Sequence, residues 1–378
     1  MSPKVILIGG NHHNGLGLAR EFGRHGIRPY GLIVGQDSKR SFVRSSRYWE
    51  KTWYASTDVE AIETAVSLFD EETEKPVLIP WSDSAAEAID LQLDSLSKQF
   101  ILPSINNQQG EIARLMDKLA QTHFASEHGL KMLPSEIIDL TTDVMGIGID
   151  MPVILKPVTS VEGKKSDMLI CKNSDDLKSA VKVLREKSFS RILAQYYMPE
   201  REEYVLTGAI SKLRSSFSVA RRIRQWPPNF GTGSFSDFAT SVSVTEFCTE
   251  VLNVLSDIGY SGPIDFELFG AASGELYVNE INWRSSGRNF VSLYTGVPST
   301  FMWYCDVIGR EFEAPLINTK NGYSMNEATD PKHVISRRIS LLQWMKDVRR
   351  TNSFAVWAPD DPAPAFWRYL QMASKAFR

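Results

Sequence analysis

Acidic and amide side chains recur with strand-like spacing in one stretch of the chain. Asp265 and Glu267 alternate with apolar residues, and after a turn-forming Ala-Ala-Ser-Gly, Glu280 and Asn282 are again two positions apart. Side chains two positions apart share one face of a strand, so a hairpin here would present carboxylate and amide oxygens together. Such oxygens are the ligands that Mg²⁺ prefers, with nucleotide phosphates completing its shell. Arg284 follows closely enough to stabilise charge on a transferring group.

The same spacing also fits a solvent-facing acidic hairpin that binds nothing. In an apolar core, several converging carboxylates would be costly, so the hairpin is expected either to face solvent or to hold a cation. The spacing by itself does not separate these two interpretations. The elements that surround the hairpin must decide between them.

The composition is that of an ordinary globular protein. With 378 residues, 43% hydrophobic and 23% charged, the chain is long enough for two or three domains with sizeable cores. A net charge of −3 gives no reason to expect nucleic-acid binding. Three scattered cysteines without metal-ligand spacing predict a reduced, cytoplasmic chain. No apolar run approaches membrane-spanning length, so no integral membrane association is expected.

A βαβ pattern opens the chain. An apolar strand at 4–8 precedes a glycine-rich turn at 9–17, a helix at about 18–25 and a second strand at 30–34. The glycine spacing does not fit G-x-G-x-x-G, and no acidic residue ends the second strand, which argues against a dinucleotide-binding oxidoreductase. The turn still exposes backbone N–H groups that favour an anion such as a substrate carboxylate. A tight turn without a ligand explains the glycines equally well.

A second loop is predicted to lie beside this turn. The buried strand at 77–80 ends at Trp81-Ser82-Asp83-Ser84, where Ser82 or Asp83 would cap the next helix. Ligands in open α/β sheets bind beyond the carboxyl ends of the strands, so the 81–84 loop and the glycine-rich turn are expected to flank one pocket. Capping alone is an equally good explanation of Asp83.

Basic residues mark the central predicted strands. Lys156 ends an apolar strand at 152–156, a better place to meet phosphate than an open surface. The polar, basic loop at 159–165 is suited to folding over a polyphosphate. Arg222 and Arg224 are predicted to share the polar face of one strand, where they could hold carboxylate or phosphate oxygens bidentately.

Periodicity and capping residues predict the remaining elements. Helices are expected at 58–69, 85–96, 111–128, 174–187 (capped by Ser174), 245–259, 301–308, 340–348 and 365–377. Strands are expected at 168–171, 191–195, 204–210 and 216–224, in addition to the two strands of the acidic hairpin.

The order of these features resembles the ATP-grasp superfamily, and within it the carboxylate–amine ligases that carry an N-terminal pre-ATP-grasp domain. The order is a glycine-turn α/β domain, Asp-Lys on a helix, strand-Lys-Pro, a small-residue loop, Gln-Tyr-Tyr, Glu-Tyr and the acidic hairpin. Its most specific part is Glu280-Ile281-Asn282-Trp283-Arg284, which looks like the family's Glu-(Met/Ile)-Asn-Pro-Arg. Trp283 stands where the family usually has proline. The resemblance covers about residues 1–310.

The resemblance implies an α/β fold in which a Rossmann-like pre-ATP-grasp domain precedes a two-lobed ATP-grasp fold that clamps ATP. The implied domains are 1–110 (pre-ATP-grasp), 111–190 (small lobe or lid), 191–317 (large lobe with the metal hairpin) and 318–378 (polar, helical C-terminal extension). No mechanism is assigned to the extension. A homodimer is expected only by analogy with such folds.

The resemblance also implies roles for individual residues. The residues expected to bind ATP are Lys118 and Lys156 at the phosphates, Gln195, Tyr196, Tyr197 and Met198 at the adenine hinge, and Glu203 at the ribose. The residues expected to bind two Mg²⁺ ions, or Mn²⁺, are Asp265, Glu280 and Asn282. Arg284, with Arg222 and Arg224 as further candidates, is expected to stabilise an acyl phosphate. The acid substrate is expected near Asn11, His12, Ser82, Asp83, Ser286 and Arg288.

The implied activity is ligation of a small-molecule carboxylate to an amine, with an amino acid expected as one partner. Transfer of the γ-phosphoryl group of ATP would turn the carboxylate into an acyl phosphate, which the amine then attacks. The alternative is a nucleotide-binding scaffold or regulatory protein on a catalytically inactive ATP-grasp fold. The complete metal and arginine set argues against that alternative. The sequence does not identify the acid or the amine.

Overall fold

A computed structural model of the chain describes residues 2–35, 41–142, 147–158, 167–229, 231–238 and 240–376. The predicted phosphate loop at 159–165, and the end of the last predicted helix at 377, lie outside the described residues. The chain divides into two compact units. Unit 1 comprises residues 1–112, 205–265 and 282–378, and unit 2 comprises residues 113–204 and 266–281. The four-part division expected from the sequence stays a prediction.

Unit 1 begins with a parallel sheet that has the strand order β3-β2-β1-β4. Its strands are β1 (Val5–Gly10), β2 (Tyr30–Val34), β3 (Lys51–Ala55) and β4 (Val77–Pro80), followed by the short β5 (Ser104–Ile105). Its helices are α1 (His13–Arg24), α2 (Asp58–Leu68), α3 (Asp83–Asp90) and α4 (Leu93–Leu96). The predicted strands at 30–34 and 77–80 are confirmed.

Strand β1 is apolar throughout because both faces of its sheet are covered. Val5 and Leu7 join a core on one face, and Ile6 and Ile8 join a separate core on the other. All four side chains are at most 1% exposed. The continuous apolar run in the sequence therefore identified the strand correctly.

Unit 2 contains an antiparallel sheet with the strand order β6-β9-β7-β8. Its elements are α5 (Glu111–Leu115, which begins in unit 1), α6 (Lys118–Glu127), β6 (Ser135–Asp139), β7 (Val153–Lys156), β8 (Leu169–Cys171), α7 (Ser174–Glu186) and β9 (Arg191–Tyr196). Leu177, Val181 and Leu184 of α7 are buried in the same core as Leu155 and Ile192.

The remaining strands form a sheet with the order β14-β13-β10-β11-β12-β15-β16, to which β5 adds by pairing with β13. Its first elements are β10 (Glu202–Ile210), β11 (Ser215–Trp226), β12 (Thr232–Asp237), α8 (Val242–Asp257), β13 (Tyr260–Gly270) and β14 (Leu276–Asn282). Then follow α9 (Ser292–Thr295), α10 (Ser299–Val307), β15 (Tyr323–Met325), α11 (Lys332–Ile335), α12 (Leu341–Arg350), β16 (Thr351–Phe354) and α13 (Ala363–Ala376). The acidic hairpin is confirmed as neighbouring strands β13 and β14.

The C-terminal segment is an integral part of unit 1. Strand β15 pairs antiparallel with β12, and β16 pairs parallel with β15. Asp361 forms a buried ion pair with Arg20 of α1 at 2.9 Å, with side-chain exposures of 1% and 3%. Asp361 also accepts a hydrogen bond from the Ser46 hydroxyl at 2.7 Å. The segment therefore adds the last two strands of the sheet, and its ion pair with Arg20 holds it against α1.

Three predicted helices differ from the observed ones, and in two of them a polar side chain caps the backbone at an unpredicted position. The single helix expected at 111–128 is wrong, since Asp117 caps a new helix at its N-terminus. The helix expected at 85–96 is two helices, α3 and α4. Asn173, and not Ser174, caps α7. No helix within the described residues has both the length and the apolar character of a membrane span.

Candidate functional site

Lys118 is placed in unit 2 by the cap that begins α6. Oδ1 of Asp117 accepts hydrogen bonds from the N–H groups of Leu119 and Ala120, both at 2.9 Å, and this starts the helix at Lys118. The Lys118 side chain is buried, and its Nζ lies 3.4 Å from Oε1 of Glu280. The structure therefore brings a predicted phosphate-binding lysine next to a predicted metal ligand.

Lys156 ends β7 with its side chain buried in unit 2. Its Nζ donates to Oε1 of Gln195 at 2.9 Å and lies 3.5 Å from Oδ1 of Asn279. The pKa of Lys156 is lowered from 10.5 to about 8, mainly by burial and then by the positive charge of Lys118, while Glu280 opposes the shift. A polyanion beside Lys156 would therefore stabilise the positive charge that burial and Lys118 disfavour.

The predicted adenine hinge follows β9. The N–H of Tyr196 donates to the carbonyl of Pro134, and the N–H of Tyr197 donates to the carbonyl of Pro152, both at 2.8 Å. Within the described residues, the N–H of Met198 donates to no acceptor. Of these three backbone N–H groups, that of Met198 is therefore the one available to a ligand.

The predicted ribose ligand is held by an arginine. Glu203 forms an ion pair with Arg201 at 2.7 Å, and both side chains are largely buried. The Arg201 guanidinium lies 4.8 Å from the ring centre of Tyr197 and 4.5 Å from that of Phe269, and it donates to the Met198 carbonyl at 2.9 Å. These contacts fix the Glu203 carboxylate beside the hinge.

Two residues near this cluster were not predicted. The Gln121 amide bonds to both backbone groups of Ile281, at 2.8 and 3.0 Å, as a neighbouring strand would. Asn279 approaches Lys156 and donates to Oε2 of Glu267 at 3.4 Å. Sequence position gave a signal for both, because Asn279 directly precedes the acidic motif and Gln121 lies one helical turn after the predicted phosphate-binding lysine of α6.

In unit 1, two predicted metal ligands contact each other. Oδ1 of Asp265 accepts a hydrogen bond from Nδ2 of Asn282 at 3.0 Å. Oδ2 of the same carboxylate accepts from the hydroxyl of Ser286, one of the predicted substrate residues. Asp265 is only 6% exposed, so these contacts fix its orientation. The third predicted ligand, Glu280, belongs to unit 2 and lies two positions before Asn282 on β14.

Arg284 is positioned by Asp83. Its Nε donates to Oδ1 of Asp83 at 2.9 Å, and its Nη1 lies 3.8 Å from Oδ1 of Asp265. The helix cap that the sequence left open between two residues is Ser82, whose hydroxyl accepts from the N–H of Ala85 at 3.4 Å. Asp83 therefore orients the arginine instead of capping the helix.

The two loops that were predicted to flank one pocket do contact each other within unit 1. Nδ2 of Asn14 donates to the carbonyl of Trp81 at 3.2 Å. Asn11 accepts a hydrogen bond from the Ser41 hydroxyl at 2.6 Å, and His12 caps the N-terminus of α1. The helix begins at residue 13, five positions earlier than the sequence predicted.

Arg222 and Arg224 do not share one face of β11, and that prediction is wrong. Arg222 is the cross-strand partner of Ser236, whereas Arg224 is the partner of Phe235, so a register shift of the kind a β-bulge produces turns the two arginines to opposite faces. Arg224 forms ion pairs at 2.8 and 2.6 Å with two fully buried aspartates of the C-terminal segment, Asp330 and Asp347. A catalytic role for Arg224 stays a prediction.

Two further residues of the motif region lie in unit 1. Trp283, which stands where the resembled family has proline, is 1% exposed and packs edge-to-face on Tyr260 with ring centres 5.0 Å apart. Arg288 donates to the hydroxyls of Ser236 and Ser324, both at 2.7 Å. The tryptophan is therefore a core residue, and the arginine contacts the C-terminal strand β15.

The donor atoms of both units have the chemistry that ATP and Mg²⁺ require. Unit 2 offers two buried lysines to a polyphosphate, and unit 1 offers carboxylate and amide oxygens to a hard cation. Within the described residues, no group of three or more His, Cys, Asp or Glu side chains is arranged to hold a metal ion. A Mg²⁺ ion here would depend on a few protein oxygens together with phosphate, as is usual for this metal.

Comparison with known proteins finds likeness in structure but not in sequence. No family model and no curated protein sequence matches the chain. The N5-carboxyaminoimidazole synthetase of Staphylococcus aureus, solved with ADP, matches with a TM-score of 0.69 at 17% identity, over 89% of this chain and 86% of that chain.

Two other solved structures show the same likeness. Biotin carboxylase of Campylobacter jejuni, in a β-γ-ATP complex, has a TM-score of 0.64 at 15% identity, over 85% of this chain and 74% of that chain. The L-amino acid ligase of Bacillus licheniformis has a TM-score of 0.63 at 16% identity, over 85% of this chain and 79% of that chain. This chain therefore has the ATP-grasp fold with an N-terminal α/β domain, as the sequence predicted.

Proposed function

We propose that the protein is a Mg-ATP-dependent ligase that activates a carboxylate as an acyl phosphate and couples it to an amine, releasing ADP and phosphate. The observation that carries this proposal is the buried lysine pair of unit 2. Lys156, with its pKa lowered to about 8, and Lys118, beside Glu280, form a place where a polyphosphate would relieve an existing electrostatic cost.

ATP is proposed to bind mainly to unit 2. Lys118 and Lys156 contact its phosphates, and the N–H of Met198 donates to the adenine edge. Gln195, whose amide oxygen accepts from Lys156 at 2.9 Å, orients that lysine. Glu203, held by its ion pair at 2.7 Å, accepts from the ribose hydroxyls.

Asp265, Glu280 and Asn282 are proposed to hold Mg²⁺. The ions, when bound, neutralise charge on the phosphates and on the acyl phosphate that forms. Ser286 fixes the Asp265 carboxylate, so that its oxygens need little reorganisation when a cation arrives.

Arg284 is proposed to stabilise negative charge on the transferring phosphoryl group and on the tetrahedral species that follows. A carboxylate is a poor electrophile because oxide would have to leave, and phosphorylation replaces oxide with phosphate as the leaving group. The amine then attacks the acyl carbon, and the C–O bond to phosphate breaks. Asp83, 2.9 Å from the arginine Nε, holds the guanidinium in position for both steps.

Features of the compared proteins and of the chain support further parts of the proposal. One compared protein is an L-amino acid ligase, which favours an amino acid as one substrate. The biotin carboxylase domain of Hydrogenobacter thermophilus 2-oxoglutarate carboxylase, which has a similar structure (TM-score 0.64 at 16% identity), is a dimer, and this favours a homodimer here. The cysteines Cys171, Cys248 and Cys305 are buried free thiols, in line with a reduced, cytoplasmic setting.

Replacement of Glu280 tests the proposal. We expect Glu280→Gln to keep the fold but to lose turnover by 100-fold or more, on the order of what removal of one transition-state contact costs. The matched control is Glu275→Gln in the same hairpin, because Glu275 is half-exposed and its partners among the described residues, Lys131 and Tyr277, are surface groups. Full activity in Glu280→Gln would contradict the proposal, and ATP binding without ADP release for any acid would favour the scaffold alternative.

A further inference from the structure

Helix α12 is attached to the sheet of unit 1 by a charged side chain. Among its residues, all of which the structure describes, Asp347 is the buried one. Asp347 forms ion pairs with Arg224 of β11 at 2.6 Å and with Arg350 at 2.8 Å. The Arg350 guanidinium lies 4.2 Å from the ring centre of Tyr323 on β15. These contacts fix which side of the helix faces the sheet.

The apolar residues of α12 lie on its outer side. Leu341, Leu342 and Met345 are each more than half exposed. Residues three and four positions apart are neighbours on a helix, so these three form one stripe, with Lys346 and Arg349 beside it. In α7, by contrast, the apolar stripe is buried in the core of unit 2. Helix α12 therefore has the apolar stripe of an amphipathic helix turned away from the core.

The turn before α12 extends this surface. Ile335, at the end of α11, is 80% exposed, and Arg337 and Arg338 follow it as exposed residues. From 332 to 350 the sequence has six basic residues and one acidic residue, in a chain whose net charge is −3. Within the described residues, five of these six cations have no carboxylate at ion-pairing distance, the exception being Arg350. Unpaired positive charge and exposed aliphatic groups therefore coincide in one segment.

This combination favours the surface of an anionic membrane as the partner. An exposed aliphatic stripe gains free energy by leaving water, and the cations beside it gain from anionic headgroups. Amphipathic helices with both features lie in the plane of the membrane interface. A second copy of the chain is disfavoured, because a two-fold dimer would place the same basic surface against itself. Nucleic acid would attract the cations but leave the aliphatic stripe in water.

We propose that segment 332–350 binds peripherally to membranes that contain anionic lipids, with Leu341, Leu342 and Met345 entering the headgroup region. The ion pairs of Asp347 already hold the helix with this side outward, so little ordering accompanies binding. The proposal does not depend on the ligase function, and it gives the C-terminal segment a function besides the strands that it adds to the sheet.

Vesicle sedimentation with the full chain tests the proposal. Vesicles of phosphatidylcholine alone are compared with vesicles in which one lipid in three is phosphatidylglycerol, each at low and at physiological salt. We expect the protein to bind the anionic vesicles about tenfold more tightly than the neutral ones, or better. Binding to the anionic vesicles should weaken as the salt concentration rises, because salt screens the attraction of the cations to the headgroups.

Two double variants separate the electrostatic and the apolar contributions. Lys346→Gln/Arg349→Gln should weaken binding to the anionic vesicles about tenfold or more, since each cation near an anionic surface contributes. Leu341→Gln/Leu342→Gln should also weaken it about tenfold or more, because it removes apolar groups that would leave water. All four positions are exposed, so both variants should melt at the temperature of wild type.

Matched controls remove the same kinds of group from other exposed positions. Lys178→Gln/Lys182→Gln takes two charges from α7, and Leu91→Gln/Leu213→Gln takes two leucines that lie outside segment 332–350. Both controls should bind anionic vesicles as wild type does. A control that weakens binding as much as the corresponding variant of segment 332–350 would overturn the assignment to this segment.

Three other results would overturn the proposal: absence of vesicle binding, equal binding to neutral and anionic vesicles, or full binding in Leu341→Gln/Leu342→Gln. Sedimentation equilibrium without lipid examines the second copy as partner. Self-association that the leucine variant abolishes, without vesicle binding, would assign the surface to a dimer. Binding of a single-stranded RNA that Lys346→Gln/Arg349→Gln abolishes, again without vesicle binding, would assign it to nucleic acid.

Discussion

The pH dependence of nucleotide binding follows from the buried position of Lys156. Its pKa is lowered from 10.5 to about 8 in the unliganded protein. Holding its positive charge there costs about 3 kcal/mol, because one pKa unit corresponds to about 1.4 kcal/mol. A phosphate beside Nζ would return the pKa towards its ordinary value, so protonation and nucleotide binding are linked.

This linkage predicts how much the affinity for the nucleotide should change with pH. If the bound nucleotide restores the ordinary pKa, its affinity should fall about 20-fold between pH 7.5 and pH 9.5, because the unliganded lysine is neutral above about pH 8. Calorimetric titration with Mg²⁺ and a non-hydrolysable ATP analogue at both pH values measures this change. Lys156→Met should bind weakly at both and lose the dependence.

Lys178→Met is the matched control for this experiment. Lys178 also belongs to unit 2, but its side chain is 74% exposed on α7, where Asp175 is its ion-pair partner. The variant should therefore keep the pH dependence of wild type. An affinity of wild type that does not change over this pH interval would refute the reasoning. So would a Lys156→Met variant that keeps the full pH dependence.

Two further predictions concern the stability of unit 1. Asp361→Ala should lower the free energy of unfolding by about 3 to 5 kcal/mol in a urea titration, because it leaves Arg20 buried without its partner. The control Asp70→Ala, at an exposed side chain of the same unit, should change it by less than about 0.5 kcal/mol. Equal effects of the two substitutions would contradict the assignment. Burial raises the pKa of Glu21 from 4.5 to about 7. Between these two pH values the folded protein keeps the proton that the unfolded chain has lost. The contribution of Glu21 to the free energy of unfolding therefore falls by about 3 kcal/mol as the pH rises from 4.5 to 7. Glu21→Gln removes this pH-dependent contribution. Urea titrations should therefore find that the free energy of unfolding of the variant, relative to that of wild type, is higher at pH 7.5 than at pH 5. The same difference between variant and wild type at both pH values would contradict this role of Glu21.

Local sequence patterns were sufficient to predict the elements whose side chains are either all buried or alternately buried and exposed. The apolar run of β1 and the acidic–apolar alternation of β13 each identified a strand, because the burial of successive side chains follows the geometry of the element itself. Lys156 was identified as a phosphate-binding candidate from a local signal as well, namely its position at the end of the apolar strand β7.

Contacts between distant parts of the chain could not be predicted in this way. Strand β15 has three residues, and its pairing with β12 places Ser324 beside Ser236 through a contact that no local pattern reports. The ion pair of Arg20 with Asp361 joins residues that are 341 positions apart. Periodicity alone predicts one helix at 111–128, whereas Asp117 caps a new helix within that range. The hydrogen bonds of one capping side chain to the backbone outweigh the weak helix propensities of the neighbouring residues.

The most direct test of the central claim is phosphate release from ATP and Mg²⁺ across a matrix of amino acids offered as acid and as amine, with the products weighed by mass spectrometry. The account predicts at least one pair that releases one phosphate per product, and a product lighter than its two parts by one water. Phosphate release with an acid alone would support activation of the carboxylate and leave the amine to be found. Binding of ATP without release of phosphate for any acid, including larger acids and peptides, would contradict the account.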